Sequence, residues 1–228
     1  MDAKEVKALA LEIGFDLAGI TTPQPGHPLP WTRSVVVLGL ATLDEAFDYE
    51  MRIAYEGKRR WYKPIYTALE ALSARLARRL REEGWQAEHL TFENSLSFVD
   101  LKQAAVAAGL GVWGKNNLVI TRQYGPQVRF GAVFLSAELA RDRPLLDYYC
   151  PSCTLCWNAC PTGAIDPGGF VRELCLGEFN PTEEMAARQA RELPHPTPAT
   201  TLQCLACVTA CPIGRKIATE RWTEVRSE

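Results

Sequence analysis

The run Cys150-Pro-Ser-Cys153-Thr-Leu-Cys156-Trp-Asn-Ala-Cys160-Pro161 constrains this chain more than any other stretch. It reads C-x2-C-x2-C-x3-C-P, the bacterial ferredoxin pattern for a [4Fe–4S] cluster. Three thiolates two residues apart let one short loop wrap three corners of an iron–sulfur cube. The fourth is displaced by one residue and followed by a proline that stops the loop, so it points away and ligates the other cluster. Near the C-terminus, Cys204-Leu-Ala-Cys207-Val-Thr-Ala-Cys211-Pro212 repeats the ending with one cysteine fewer, and Cys175 lies alone between the runs. The eight cysteines match the ligand demand of two clusters, with none spare. Crossed ligation assigns Cys150, Cys153, Cys156 and Cys211 to a first cluster, and Cys160, Cys175, Cys204 and Cys207 to a second.

Zinc and disulfides are the plainer uses of cysteine. Zinc sites favour two C-x2-C pairs, often with histidine, and have no use for the third close cysteine or the prolines. Disulfides need an oxidising compartment, whereas the polar start Met1-Asp2-Ala3-Lys4-Glu5 has no apolar signal core and no twin arginine. The longest apolar run, Val35 to Ala41, is too short to cross a bilayer. A cytoplasmic location away from membranes is therefore expected. The formal net charge of −2 is not that of a basic nucleic-acid binder.

The remaining sequence predicts an α/β domain over residues 1–140, followed by a cluster-binding domain over 141–228. Asp2 and Glu5 form a capping-box pattern, with Val6, Leu9, Ala10 and Ile13 at helical spacing and Gly14 as the stop. Phe15 to Thr21 reads as a short strand, and Ser34 to Ala41 as a strand buried on both faces. Between them, Pro23 to Pro30 is too proline-rich for regular structure. Residues 44–60 have no clean period and are expected to form an irregular or weakly helical surface segment. Ile65, Leu69, Leu72, Leu76 and Leu80 then make one apolar helical stripe, started by Pro64 and stopped by Gly84, with arginines on the solvated faces. A strand is expected within 85–92 and a small-residue helix over 98–108. Residues 117–122 and 128–136 read as two strands around a Tyr124-Gly125-Pro126 turn, and 183–193 as a helix.

The stretch Ala108-Gly109-Leu110-Gly111-Val112-Trp113-Gly114-Lys115-Asn116-Asn117-Leu118, followed in order by a hairpin, Cys160-Pro-Thr-Gly-Ala-Ile165, the lone Cys175 and the second run, resembles the epoxyqueuosine reductase family. Reductive dehalogenases are more distant relatives with the same plan. The resemblance covers residues 1–215 in element order and is specific from Ala108 onward. It implies a nitroreductase-like α/β domain carrying cobalamin and a ferredoxin-like domain whose two [4Fe–4S] clusters pass electrons to cobalt. It also places Lys115, Asn116, Asn117 and the Leu205-Ala206 loop near the corrinoid; the plainer role of polar residues in such a turn is turn formation.

Three departures from the family stand out. Its proposed proton donor is an aspartate fourteen residues before the Gly-Leu-Gly turn, where this chain has Ser95. Asp100 is five residues out of register, with helix capping or a surface position as its default role, and a serine is too weak an acid to replace a carboxylic acid. The family's helical-repeat domain after the clusters has no counterpart here, so transfer RNA is not an expected partner. The family's insertion between the first two strands is reduced to the proline-rich stretch.

Two functions follow. One is a corrinoid-dependent oxidoreductase that receives electrons from a ferredoxin or flavodoxin and delivers them to cobalt or a bound substrate. The alternative is an electron-transfer protein or reductive activator docking onto a corrinoid protein, which the missing donor and RNA domain favour. A flavin in the α/β domain is a third option, without a phosphate-binding glycine loop to support it. His27, His89 and His195 are expected to be structural or exposed, and Trp113 and Trp157 to serve core or shielding roles.

Overall fold

The capping box expected at the start of the chain is formed. Asp2 accepts from Lys4 N and Glu5 N, and Glu5 Oε2 accepts from Asp2 N at 2.6 Å, opening α1 (Ala3–Ile13). The computed structural model describes residues 1–43, 49–55, 58–91, 98–147, 149–150, 152–179 and 181–214, with the side chains of 49 and 51–61 outside that description. The architecture is mixed α/β with small antiparallel sheets. Two compact units each draw on separate stretches of chain. The first comprises Met1–Ala41, Ile65–Val112 and Val128–Tyr149; the second comprises Thr42–Pro64, Trp113–Gln127 and the chain from Cys150 onward.

The first unit is built on a four-stranded sheet, ordered β1 (Leu17–Thr21), β2 (Ser34–Ala41), β8 (Val128–Leu135), β5 (Ala87–His89), with every neighbouring pair antiparallel. β2 occupies a central position, and Val35, Val36, Val37 and Leu38 are all buried, as a strand covered on both faces requires. Helices supply the two covers. A Cβ at Gly131 of β8 would stand 3.3 Å from Ser73 Oγ and 3.6 Å from Leu69, both on α2 (Pro64–Glu82). A Cβ at Gly19 of β1 would stand 2.7 Å from the carbonyl of Ala108, at the end of α3 (Leu101–Ala107). Gly19 pairs with Val37, which pairs with Ala132, the neighbour of Gly131. Successive residues of a strand face opposite sides, so α2 and α3 lie on opposite faces of the sheet. The stripe of α2 buries Ile65, Leu69, Leu76 and Leu80 as its spacing dictates. Asp100 caps α3, its Oδ1 accepting from Gln103 N at 3.0 Å, one of the two roles expected of it. Ser95 lies outside the described residues.

The second unit departs from expectation in two places. The segment expected to be irregular or weakly helical contains β3 (Tyr49–Tyr55) and β4 (Lys58–Tyr62), which pair antiparallel with each other. β3 also pairs antiparallel with β11 (Thr200–Leu202). Tyr49, Met51, Ile53 and Tyr55 alternate with Glu50, Arg52 and Ala54, a period-2 strand signal confined to seven residues of the segment. The second departure concerns the hairpin around Tyr124-Gly125-Pro126. β7 (Val119–Ile120) pairs with β6 (Val112–Trp113), while β8 joins the four-stranded sheet. The turn is closed by a bridge between Thr121 and Gly125, with Thr121 Oγ1 accepting from Tyr124 N at 3.1 Å. After Cys150 the unit continues as α4 (Leu155–Ala159), the hairpin β9 (Ile165–Asp166) and β10 (Gly169–Phe170), a 3-10 turn over Arg172–Leu174, α5 (Glu183–Glu192) and α6 (Ala206–Thr209).

Candidate metal centre

All eight cysteines belong to the second unit, and none is in a disulfide. Each run folds as its spacing directs: α4 carries Cys156 between Thr154 and the extended Cys160, and α6 carries Cys207 between Leu205 and Ala210. The two short helices pack on one another, so the runs face each other as a crossed pair of ligand loops would.

The electrostatics of the thiols sort them further. Burial pushes the Cys156 thiol up, with charge on Cys150 and Cys153 adding to the effect. Burial also raises Cys175, with Cys204 and Cys160 as its cysteine neighbours, and raises Cys204 beside Cys160. Cys207 is pushed up to about 12 by burial, then by Cys204 and Cys175, with smaller effects from Cys156 and Cys160. Burial raises Cys160 as well, but hydrogen bonds from the Thr162 side chain and from backbone groups at 162, 164 and 165 outweigh it, and the net shift is downward. Two neighbourhoods result: Cys150, Cys153 and Cys156 in one, Cys160, Cys175, Cys204 and Cys207 in the other. Thiols held this close in a buried site repel one another as anions, and bound metal supplies the positive charge that lets them ionise together.

The donor set fits iron–sulfur clusters on two further observations. Gly177 N donates to Cys175 Sγ at 3.3 Å, the kind of hydrogen bond to sulfur that tunes such clusters. The Nε1 of Trp157, between Cys156 and Cys160, is buried without a protein partner. Among the described residues no three His, Cys, Asp or Glu side chains converge tightly enough for a single metal ion.

Lys115 belongs to the first neighbourhood. Its Nζ donates to Cys153 O at 3.1 Å and stands 4.6 Å from the centroid of the Trp157 ring. The cation thus clamps the ligand loop to the residue that follows Cys156. Lys115→Met removes a charge-assisted hydrogen bond and a cation–π contact, together about 1–2 kcal/mol. Faster release of iron to a chelator, with the fold retained, is the expected outcome in a stopped-flow assay.

The other residues that the resemblance places near a corrinoid shape the backbone. Asn116 is buried and its Oδ1 accepts from Leu118 N at 3.2 Å. Asn117 adopts the left-handed conformation, φ 58°, that asparagine tolerates in a tight turn. Leu205 and Ala206 open α6. These residues would offer a corrinoid a fixed, partly apolar edge rather than free hydrogen-bonding groups. The histidines lie elsewhere: His27 stacks on Phe134 at 6.2 Å, His89 sits in β5, and His195 meets Ala190 O at 3.0 Å.

No protein-family model matches the chain. It is 25% identical over 199 residues to an epoxyqueuosine reductase of Lactococcus garvieae, covering 85% of this chain and 55% of that protein. To the enzyme of Listeria monocytogenes it is 28% identical over 256 aligned residues, covering 93% and 64%. A tetrachloroethene reductive dehalogenase of Desulfitobacterium hafniense is 33% identical over 126 residues, 52% of this chain and 22% of that protein. The fold is shared with a crystal structure of epoxyqueuosine reductase with an epoxyqueuosine-modified tRNA-Tyr stem loop, at TM-score 0.66 and 21% identity over 93% of this chain and 65% of that one. The relatives are thus epoxyqueuosine reductases and, at greater distance, reductive dehalogenases. The chain spans little more than half to under two thirds of the first two.

No described helix is long and apolar enough to cross a membrane.

Proposed function

We propose that the chain is an oxidoreductase whose second unit holds two [4Fe–4S] clusters and delivers electrons to a corrinoid. The observation that carries this reading is the packing of the two short helices that bear Cys156 and Cys207, which gathers seven of the eight cysteines into two neighbourhoods. Its relatives supply the reaction class. A reduced corrinoid supplies a strong nucleophile and reductant, and the clusters supply electrons singly.

The chain's own residues bind and shield. Cys150, Cys153, Cys156 and Cys211 would hold the first cluster; Cys160, Cys175, Cys204 and Cys207 would hold the second. Cys150 and Cys156 are each 8% exposed, so these two thiols are screened from solvent, while Cys153 and Cys211 are half-buried. Restricted solvent access and hydrogen bonds such as that from Gly177 to Cys175 Sγ set where the clusters titrate. A ferredoxin or flavodoxin would serve as electron donor.

One observation favours a second reading, in which the protein activates a separate corrinoid protein. Asp100, the aspartate closest in sequence to the family's acid position, is committed to capping α3. A proton for substrate reduction would then come from elsewhere.

The test is addition of cobalamin to anaerobically reconstituted protein, followed by visible spectra before and after reduction. Stoichiometric binding with a spectral change on reduction supports the corrinoid reading. Exclusion of cobalamin, with both clusters still redox-active, overturns it and leaves the activator.

A further inference from the structure

Lys63 is the largest fully buried side chain of the described residues, at 1% exposure, and the function above does not use it. A buried ammonium is costly unless it is compensated by hydrogen bonds and opposite charge. It follows β4 directly, and the antiparallel register that pairs Met51 with Tyr62 sets it across from Glu50 of β3. The Nζ lies 3.9 Å from Glu50 Oε1, a carboxylate at 21% side-chain exposure. On the other side it donates to Gln203 Oε1. Gln203 stands where β11 ends, one residue before Cys204.

Two further hydrogen bonds, both made by Gly177, lead onward from that amide. Gln203 Nε2 donates to Gly177 O at 2.8 Å, and Gly177 N donates to Cys175 Sγ at 3.3 Å. Cys175 is the cysteine that belongs to neither run. Nothing in its local sequence fixes it beside Cys204 and Cys207, whereas this chain of bonds does. The Gly177 carbonyl and N–H belong to different peptide units, so the cation acts on the sulfur through its field and by fixing the Gly177 turn rather than by polarisation passed from bond to bond.

Resting on the two-cluster reading, we infer that Lys63, through Gln203 and Gly177, positions Cys175 in the second cluster site and biases that cluster toward its reduced state. A cubane with four thiolates is anionic and gains a further negative charge on reduction. A nearby buried cation favours that gain, and Glu50 opposes it. The three-stranded sheet β11-β3-β4 exists, on this account, to bring residues 50, 63 and 203 together under the second site.

The experiment is an anaerobic redox titration followed by electron paramagnetic resonance on wild type, Lys63→Met and Glu50→Gln. The second cluster's signal is identified as the one lost in Cys175→Ala. In Lys63→Met the ratio of reduced to oxidised second cluster at fixed potential should fall by about tenfold, equivalent to about 59 mV for a one-electron couple. In Glu50→Gln, an isosteric change, it should rise, while the first cluster moves less in both. A role confined to packing would not shift one cluster in opposite directions. If Lys63→Met fails to hold its clusters, Glu50→Gln decides alone, and an unchanged second potential there overturns the inference. Wild type that binds no iron refutes the two-cluster reading itself; wild type with two titrating clusters and unmoved variants refutes only the role of Lys63.

Discussion

Cys175→Ala should leave the protein with about half of its iron, a fall from about eight to about four atoms per chain. The ligand is singular. Seven cysteines sit in two runs that position one another, but Cys175 follows the 3-10 turn over Arg172–Leu174 and is extended at that point. The thiols nearest to it electrostatically are Cys204 and Cys160. Removing it leaves a cube with one open corner in the second site, where the assembled cluster is lost or degrades. The first site keeps all four of its thiolates. The converse variant, Cys211→Ala, should spare the second cluster and damage the first. Iron and sulfide assays with resonance spectra of both variants distinguish crossed ligation from local ligation: equal damage to both clusters in each variant would contradict the assignment.

A similarly large effect is expected at a place without a ligand. Gly125, at φ 57°, presses its Cα against the chain just past Cys211: a Cβ there would stand 2.0 Å from Ile213 O. The approach is mutual, since a Cβ on Gly214 would stand 2.3 Å from Gly125 N. Gly125→Ala combines the cost of a left-handed alanine, about 1–2 kcal/mol, with overpacking against backbone that cannot rotate away, about 1–3 kcal/mol more. The displaced residues adjoin Cys211-Pro212, so the first cluster should become labile as stability falls. Gly26→Ala supplies the control. Gly26 also has positive φ, 78°, but a Cβ there meets nothing within 4 Å, so only the conformational cost applies. Denaturant unfolding of both variants, with iron content at each point, should show the larger loss in Gly125→Ala and iron release confined to it.

Where the sequence could be read and where it could not follows one physical rule. α1, β2 and α2 were legible because caps and apolar period are local: Asp2 with Glu5, three successive valines, and the stripe from Ile65 to Leu80 each report their own environment. The two cysteine runs stand out because spacing is local for seven of the eight cysteines. β3 and β4 were missed although Tyr49, Met51, Ile53 and Tyr55 alternate with Glu50, Arg52 and Ala54, because the flanking residues of 44–60 carry no such alternation and the further partner of β3 lies at Thr200–Leu202. The hairpin expected around Tyr124 failed for a related reason. Both strands were rightly strand-like, but β8 finds β2 and β5, and sheet neighbours are set by the whole unit rather than by the nearest turn. Lys63 was illegible in principle, because a lysine after a basic stretch reads as solvated until Gln203 and Glu50 are brought to it. Lys115 was singled out by resemblance, yet its contacts with Cys153 and Trp157 tie it to the ligand loop itself.

The most direct test of the central claim is Mössbauer spectroscopy of protein reconstituted anaerobically with 57Fe, alongside iron and acid-labile sulfide per chain. The account predicts about eight of each, with all iron in the spectral form of [4Fe–4S] clusters. Iron bound as isolated thiolate-coordinated ions without sulfide, or about four irons with half of the cysteines still reactive, would contradict it.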